Sequence, residues 1–349
     1  MTGLRPALLP PGARRAAAAL ALLLAAAPAQ AFKRSCDPST GACFYWPSAS
    51  VTWKINPSQP FSSASCSGSG PLVAAAQAAF AQWANATRAG DGAPCTALSL
   101  PYGGATSSTQ TGAGTAGEHI VVLREGWCTA KVPASDPCHA TNPPSCDNTH
   151  NCFEDEGGLT RSILAITTVY YTPSTGAISD ADIELADWGG SAGALVSPPP
   201  DGWYFTCLPP GTTPICGAYG QASCAYIDLQ NTLTHEAGHF IGLAHPCEIA
   251  QGNCTPAMKS VTMYPSAAPG ETSKRVLSQD DVDGVCAIYP LSSSGPPGGG
   301  FGIPVAVTPS RSGGCGAGAP GPAGLLPLLA TLLPRVRRRR ARQRTITPA

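Results

Sequence analysis

Three histidines and one glutamate lie close together in the second half of the chain: His235, Glu236, His239 and His245. Residues four positions apart share one face of a helix, so His235 and His239 can offer two imidazoles to a single ion. Glu236 lies beside them, where its carboxylate can act on a water molecule as a general base without binding the ion. Gly242 can adopt a left-handed conformation that ends the helix, after which the chain can return His245 as a third ligand. Three imidazoles with an open fourth position are typical of catalytic zinc.

The elements that must position these side chains are visible in the flanking sequence. Apolar residues recur every three or four positions on another face of the histidine segment, namely Leu229, Leu233, Ala237 and Phe240. This spacing predicts a helix whose apolar face packs inward. Residues 51–55 and 163–171 have the composition of strands.

A methionine and a capped helix follow the third histidine. Met263 lies in the segment Val-Thr-Met-Tyr-Pro, and residues 277–285 read Leu-Ser-Gln-Asp-Asp-Val-Asp-Gly-Val. Ser278 is a suitable N-cap, with Asp280 and Asp281 near the positive end of the helix dipole.

Together, the histidine array, Gly242, the Met263 segment and the last helix resemble the matrixin branch of the metzincins, whose signature is H-E-x-x-H-x-x-G-x-x-H. Met263 resembles the methionine turn beneath the metal of that clan. The resemblance covers most of residues 51–289. It implies an α+β fold: a twisted, mixed and mostly parallel sheet with one antiparallel edge strand over the active-site helix, and a C-terminal helix. Residues 71–87, with Phe80 and Trp83 on one face, resemble the first helix of the family, and residues 178–185 resemble its edge-strand region.

The sequence also departs from the matrixin pattern. Pro246 follows the third histidine, and about seventeen residues separate His245 from Met263. No Pro-Arg-Cys-Gly segment occurs in the sequence, so the usual cysteine latency of the family is not expected. Gly-Gly-x-Gly-x-Asp calcium repeats are also missing, which counts against the related serralysins.

The two ends of the chain differ in composition from its centre. Residues 1–31 resemble a signal peptide, with arginines before an Ala/Leu run and a small-x-small cleavage site; a retained anchor is the alternative. Residues 32–290 are expected to form the peptidase domain, and residues 291–349 a Gly/Pro/Ser linker and a tail. The tail carries Cys315, an apolar stretch and an arginine cluster, and resembles bacterial surface-sorting tails of the myxobacterial type; a disordered basic tail is the alternative.

The charge of the central region excludes some partners and permits others. Residues 32–290 contain 10 Lys+Arg against 21 Asp+Glu, so this region is strongly acidic and disfavours nucleic acid. Acidic clusters are consistent with calcium sites in addition to the zinc site. The candidate oxygen ligands are Asp147, Glu154, Asp155 and Glu156 in one cluster, and Asp180, Asp182 and Glu184 in another. A solvated acidic face is the alternative for each cluster.

Cysteine usage points to an oxidising compartment. Fourteen of the 15 cysteines lie between Cys36 and Cys286, an even number that permits seven disulfides. Cys247 and Cys254 are the best local pair. A loop containing Cys138, Cys146 and Cys152 also carries His139 and His150, and a disulfide-stapled loop is favoured there over a second metal site.

These observations predict a zinc-dependent endopeptidase that is secreted or displayed on a bacterial cell surface. We expect a monomer that acts on protein or peptide substrates bound along the edge strand and that associates with a membrane or cell surface only through its tail. A non-catalytic, zinc-stabilised surface binding or adhesion module is the alternative, as is a narrow peptidase that matures surface proteins. Glu236 argues against the adhesion module, because a pure binding site needs no base there.

Overall fold

The computed structural model describes most of the central region of the chain, in the residue ranges 32–59, 64–66, 69–112, 118–124, 126, 128–140, 146–153, 163–186, 205–207, 227–268, 270–291 and 342–348. The segments predicted to be a signal peptide, a linker and the Gly-Cys, apolar and arginine parts of a tail lie outside these residues. No helix within them is both long and apolar enough to span a bilayer.

Ten strands are present in the described ranges: β1 (Lys33–Arg34), β2 (Trp53–Ile55), β3 (Tyr102–Ala105), β4 (His119–Arg124), β5 (Ile163–Tyr171), β6 (Ile178–Ala186), β7 (Phe205–Thr206), β8 (Ile227–Asp228), β9 (Leu243–Ala244) and β10 (Arg342–Pro348). The main sheet has the order β10-β5-β6-β4-β2-β3. Strands β3, β2, β4 and β6 run parallel to one another, whereas β5 is antiparallel to β6 and β10 is antiparallel to β5. The predicted α+β class with a mixed sheet is therefore confirmed.

The prediction that residues 178–185 lie at the edge of this sheet is wrong. Strand β6, expected near the edge, lies between β5 and β4 and is almost wholly buried. Its alternating carboxylates resemble a solvated edge in the sequence, but buried basic groups and backbone N–H groups pair with them inside the protein. Strand β5 is also covered, because residues of the expected tail form β10 and pair with it from Arg342 to Pro348.

Five α-helices accompany the strands in the described residues: α1 (Ser69–Ala84), α2 (Cys128–Lys131), α3 (Cys146–His150), α4 (Leu229–Phe240) and α5 (Gln279–Ile288). Helix α1 buries Phe80 and Trp83 against the sheet and α4. The Phe80 ring stacks on Trp53 of β2 at a centroid distance of 4.1 Å and meets Phe240 of α4 edge-on. This aromatic cluster fixes α4 against the sheet, because the rings pack in specific orientations as well as burying area.

Helix α5 begins as its sequence predicts. Ser278 is the N-cap, and its side chain and the Asp281 carboxylate form a reciprocal capping box. The two backbone donors satisfied in this way would otherwise lack partners at the helix start.

Six disulfides connect the described cysteines, which confirms the disulfide-rich prediction and the local Cys247–Cys254 pair. The others are Cys36–Cys43, Cys66–Cys207, Cys95–Cys286, Cys128–Cys152 and Cys138–Cys146. The Cys95–Cys286 bridge closes a separation of 191 residues and ties α5 to the segment after α1. Bridges that close long loops restrict the unfolded chain most strongly.

Thiol titration of protein purified under oxidising conditions and denatured without reductant should find the twelve bridged cysteines unreactive. Because the chain has 15 cysteines, we expect no more than three free thiols per molecule. Reduced protein serves as the control and should react at every cysteine. Active protein with most of its thiols free would contradict the disulfide framework.

Candidate metal centre

The candidate metal centre is built on helix α4, whose start is held by a buried acid. Asp228 Oδ1 accepts the N–H of Asn231 at 2.8 Å and so caps the helix. Arg275 Nε donates to the same carboxylate at 2.9 Å, which connects the helix start to the segment before α5. An N-cap aspartate is stabilised by the positive helix end, and here it also fixes the helix position.

The end of α4 turns at a position that requires glycine. Gly242 has a φ of +99°, and a Cβ at this residue would lie 2.5 Å from the carbonyl oxygen of Phe44. The left-handed conformation and the close backbone approach both exclude a side chain. Beyond this turn, β9 pairs with β1 and His245 follows directly.

The three histidines converge on one point. The Nε2 atoms of His235, His239 and His245 are separated by 3.1 to 3.2 Å in each pair. Nitrogens bound to one tetrahedral zinc at about 2.0–2.1 Å are about 3.3 Å apart, so this donor set fits a zinc ion. All three side chains are buried.

Contacts on the opposite side of each imidazole set its orientation. His235 Nδ1 lies 2.7 Å from the carbonyl oxygen of Thr262, and His239 Nδ1 lies 2.9 Å from that of Leu243. His245 Nδ1 lies 3.3 Å from the Glu248 carboxylate. Carbonyl and carboxylate oxygens accept hydrogen bonds, so Nδ1 carries the proton and the Nε2 lone pair faces the common centre.

Two of the imidazoles are held in the neutral form that a metal ligand requires. Burial, chiefly, places the pKa of His235 and His239 well below the ordinary histidine value. Repulsion from the neighbouring imidazoles lowers both pKa values further, while hydrogen bonds to backbone carbonyls oppose the change.

Glu236 is fully buried beside this cluster and is held by the sheet. The hydroxyl of Thr167, in the middle of β5, donates to Glu236 Oε2 at 2.6 Å. The contact joins residues 69 positions apart in the sequence. Sequence reasoning did not identify Thr167, because a threonine within an apolar strand has no distinctive spacing.

Met263 packs directly beneath α4 at a helix glycine. A Cβ on Gly238 would lie 2.2 Å from Met263 Sδ and 2.8 Å from the Trp83 ring, so only glycine fits there. The Asp281 carboxylate accepts the N–H groups of Thr262 and Met263 at 2.8 and 3.2 Å. Asp281 of the α5 capping box therefore also fixes the turn whose Thr262 carbonyl orients His235, a role that the sequence did not reveal.

The acidic clusters do not support a calcium site in the described residues. Glu184 pairs with the buried Arg124 at 2.8 Å, and Asp180 contacts His119 Nδ1 at 2.7 Å. Asp182 accepts the N–H groups of Ile120 and Gly112 at 3.0 and 2.7 Å. The solvated-face alternative is also wrong for this cluster, since its carboxylates are buried. In the other cluster, Asp147 is buried and accepts the N–H of Asn148 at 2.8 Å, while Glu154, Asp155 and Glu156 lie outside the described residues.

The Asp182 carboxyl should make stability depend on pH. Burial, with repulsion from Asp180, raises the pKa of Asp182 to about 8. An unfolded aspartate titrates near about 4, so between these values the folded protein holds an extra proton. Stability should therefore fall as the pH rises through this window.

Asp182→Asn removes this titration. The measured quantity is the free energy of unfolding from urea denaturation at pH 5 and at pH 8. Its decrease between these two pH values should be smaller in the variant than in the wild type, by at least about 1.4 kcal/mol, the equivalent of one pKa unit. Equal losses in both proteins would contradict the raised pKa. Because both proteins share every other titrating group, the difference reports the Asp182 carboxyl together with its repulsion from Asp180 and Glu184.

The second cluster of potential ligands is held by a disulfide. Cys138 and Cys146 are bonded to each other, so neither supplies a thiolate. His139 Nδ1 lies 3.7 Å from Cys146 Sγ, and His150 Nε2 lies 3.2 Å from Asp136. This geometry agrees with a stapled loop rather than a second metal site.

A buried set of three imidazoles with an adjacent carboxylate defines a candidate zinc centre of the hydrolytic type. Comparison with known proteins places the similarity among metalloproteases. Over 60 residues the chain is 45% identical to neutrophil collagenase of Homo sapiens, a match covering 17% of this chain and 11% of that protein. It is also 40% identical over 63 residues to Metalloendoproteinase 1-MMP of Arabidopsis thaliana, a match covering 18% of this chain and 14% of that protein. Over 65 residues it is 35% identical to Metalloendoproteinase 1 of Glycine max, a match covering 19% of this chain and 18% of that protein.

No protein-family model matches the chain. The similar segment spans less than a fifth of each of these relatives. The similarity supports a matrixin-like metalloprotease over that segment and gives no support to the sorting-tail interpretation.

Proposed function

We propose that this protein is a zinc-dependent endopeptidase that hydrolyses peptide bonds within proteins. The observation that carries the proposal is the convergence of three buried Nε2 atoms, 3.1 to 3.2 Å apart, beside the buried carboxylate of Glu236. The similarity to metalloendoproteinases supports the same reaction class.

Each residue of the site has a distinct role in this mechanism. His235, His239 and His245 would hold the ion through Nε2, and Gly242 and Met263 shape the turn and the floor that support them. The bound zinc would polarise the scissile carbonyl and lower the pKa of a water molecule. Glu236 accepts the proton of the attacking water and then donates it to the leaving amine, acting first as a base and then as an acid. Thr167 orients the Glu236 carboxylate during both steps.

A peptide substrate can reach the site by adding to the sheet beside β5. Strand β5 carries Thr167 to Glu236, so its outer edge runs past the candidate centre. Strand β10 pairs with this edge in antiparallel register, with Thr345 opposite Thr167, and this pairing supports strand addition as the binding mode. Backbone hydrogen bonds give such strand addition its affinity. A substrate bound in this way would take the place of β10.

The ends of the chain and its cysteines agree with activity outside the cytoplasm. Six disulfides are typical of an oxidising compartment, and residues 1–31 have the pattern of an export signal. We propose a monomeric peptidase domain at residues 32–290, exported by this signal and retained at a bacterial surface through residues 291–349.

The test measures proteolytic activity and zinc content on the same purified sample. Purified protein with about one zinc per chain should cleave a denatured protein substrate, lose activity in a chelator and regain it when zinc is restored. An intact substrate with fully loaded protein would contradict the proposal and favour the adhesion module. Cleavage-site profiling then separates broad degradation from the maturation of a few surface proteins.

Loss of the Thr167 hydroxyl should slow turnover without preventing substrate binding. A hydrogen bond to a charged group contributes about 1.5–3 kcal/mol, so Thr167→Val should lower kcat by about tenfold or more with little change in KM. Thr167→Ser keeps the hydroxyl and should restore most of kcat. The matched control is Thr168→Val on the next residue, which is equally buried. Equal kcat values for Thr167→Val and Thr168→Val would show that the hydroxyl has no such role.

A further inference from the structure

The last described segment of the chain lies along the outer edge of strand β5. Strand β10 pairs with β5 in antiparallel register over seven residues, from Arg342 to Pro348. Near the middle of this pairing, Thr345 lies opposite Thr167, the residue whose hydroxyl holds the Glu236 carboxylate. Strand β10 therefore occupies the edge along which an extended substrate would pass the candidate centre.

This edge of β5 can hold one extended chain at a time. The other edge of β5 is already paired with β6, from Ala165 to Tyr171. Strand addition uses the backbone N–H and C=O groups of the edge strand, so β10 and a substrate would need the same groups of β5. Binding of one therefore excludes binding of the other over the paired residues.

The covalent connection makes β10 an effective competitor at modest affinity. About 50 residues separate Leu291, where the central described region ends, from Arg342. A chain of that length reaches up to roughly 150 Å when extended, so its length does not keep β10 from β5. Tethered segments reach effective concentrations on the order of 1 mM, at which a strand with a Kd of about 0.1 mM is bound about ten times as often as it is free.

The charge of the chain favours the same placement. Residues 335–344 contain seven arginines and no acidic residue, whereas residues 32–290 contain 21 Asp+Glu against 10 Lys+Arg. The basic segment and the acidic central region attract each other, and dissolved salt screens this attraction. The arginine cluster is continuous in sequence with β10, so its attraction to the central region should hold β10 near β5.

We propose that β10 is an internal competitive inhibitor, which occupies the substrate position on β5 and keeps the protein latent until the tail is displaced or removed. The inference rests on the proposed function and adds its regulation. A competitor on the same chain raises KM by a factor of one plus the ratio of its effective concentration to its Kd. It leaves kcat unchanged, because a substrate that has displaced β10 meets an intact site.

Two prolines in β10 test the inference on the zinc-loaded protein with its tail in place. Successive N–H groups point to opposite sides of a strand, so Arg344→Pro together with Thr345→Pro removes one ladder donor in either phase of the pairing. The double variant should lower KM for an uncharged peptide by about tenfold, with kcat within about twofold of the wild type. The matched control, Ser293→Pro with Ser294→Pro, places two prolines ahead of β10 and should change neither parameter.

A milder variant covers misfolding of the double-proline protein. Arg342→Gln with Arg344→Gln keeps the backbone of β10 and removes two charges, so KM should fall by about two- to fivefold. Raising the salt concentration from about 0.1 to 1 M should bring the KM of the wild type closer to that of the double-proline variant. A strand that only protects the edge of the sheet would leave KM unchanged in both variants, and that result would overturn the inference.

Occupancy of the edge can also be measured without turnover. The probe is a fluorescent peptide with the sequence of β10, and the receptor carries Glu236→Gln so that the probe stays intact. When β10 is disrupted by the two prolines, the probe should bind with a Kd on the order of 0.1 mM and be displaced by the substrate peptide. When β10 is intact, the apparent Kd should be about tenfold weaker. Equal affinity in the two proteins would overturn the inference.

The two sets of measurements separate this inference from the proposed function. Selective binding of the probe, without cleavage by any of the proteins, would support β10 as the occupant of the edge and overturn the endopeptidase. Cleavage with equal KM in the wild type and in both β10 variants would support the endopeptidase and overturn the inhibition. Intact mass after each assay should show the tail still attached, and its loss by self-cleavage would overturn a stable inhibitory strand.

Discussion

Replacing Glu236 with glutamine is expected to lower kcat by about 10³- to 10⁴-fold while zinc content and folding stay unchanged. Glutamine has the same size and its amide oxygen can still accept the Thr167 hydroxyl, but it cannot take a proton from the attacking water. General acid–base groups contribute about 10² to 10⁴ in rate, and Glu236 serves in two successive proton transfers. The measurement is kcat on one peptide for variant and wild type at equal zinc occupancy.

The matched control for this variant is a carboxylate outside the site. Glu118 pairs with Lys54 away from the histidine cluster, so Glu118→Gln should have kcat close to the wild type. If Glu236→Gln retains activity within about threefold of Glu118→Gln, the general-base assignment is wrong.

Replacing His239 with alanine should remove both the metal and the activity. His239 Nε2 is one of three donors, and two imidazoles cannot hold zinc in the same geometry. Elemental analysis after dialysis should fall from about one zinc per chain to nearly none, and cleavage should fall below detection.

His119→Ala is the corresponding control. His119 also lies against the core, but its imidazole contacts Asp180 rather than the cluster. This variant should keep its zinc and most of its activity. Stoichiometric zinc retained by His239→Ala would show that the metal is bound elsewhere.

The parts of the fold that the sequence predicted are those set by local spacing. Four predicted features depend on residues that are close in the sequence, within about two helix turns or one short loop of each other. They are helix α4, strand β5, the Ser278 cap and the Cys247–Cys254 bridge. The histidine spacing likewise predicts a shared face, because helix geometry alone brings i and i+4 together.

The remaining features depend on contacts between distant segments. Arg124 is fully buried because it donates to Glu184 on β6, to carbonyls of Thr109 and Asp147, and to the Thr111 hydroxyl. No local pattern indicates such a partner set, so the carboxylates of β6 look solvated in the sequence. The position of β6 inside the sheet follows from these contacts.

The residues that support the candidate site also depend on contacts between distant segments. Thr167 reaches Glu236 across the sheet, and Asp281 reaches Thr262 over 19 residues. The Lys274 backbone donates to Asn231 of α4 over 43 residues. These residues are ordinary in type and become informative only once the fold brings them together.

The most direct test of the three-histidine zinc centre is X-ray absorption at the zinc edge of the purified protein. We predict nitrogen and oxygen scatterers only, at about 2.0–2.1 Å, with the outer-shell signal of three imidazoles, and loss of that signal in His239→Ala. Sulfur scatterers at about 2.3 Å, as cysteine ligands such as Cys138 and Cys146 would give, would contradict the assignment.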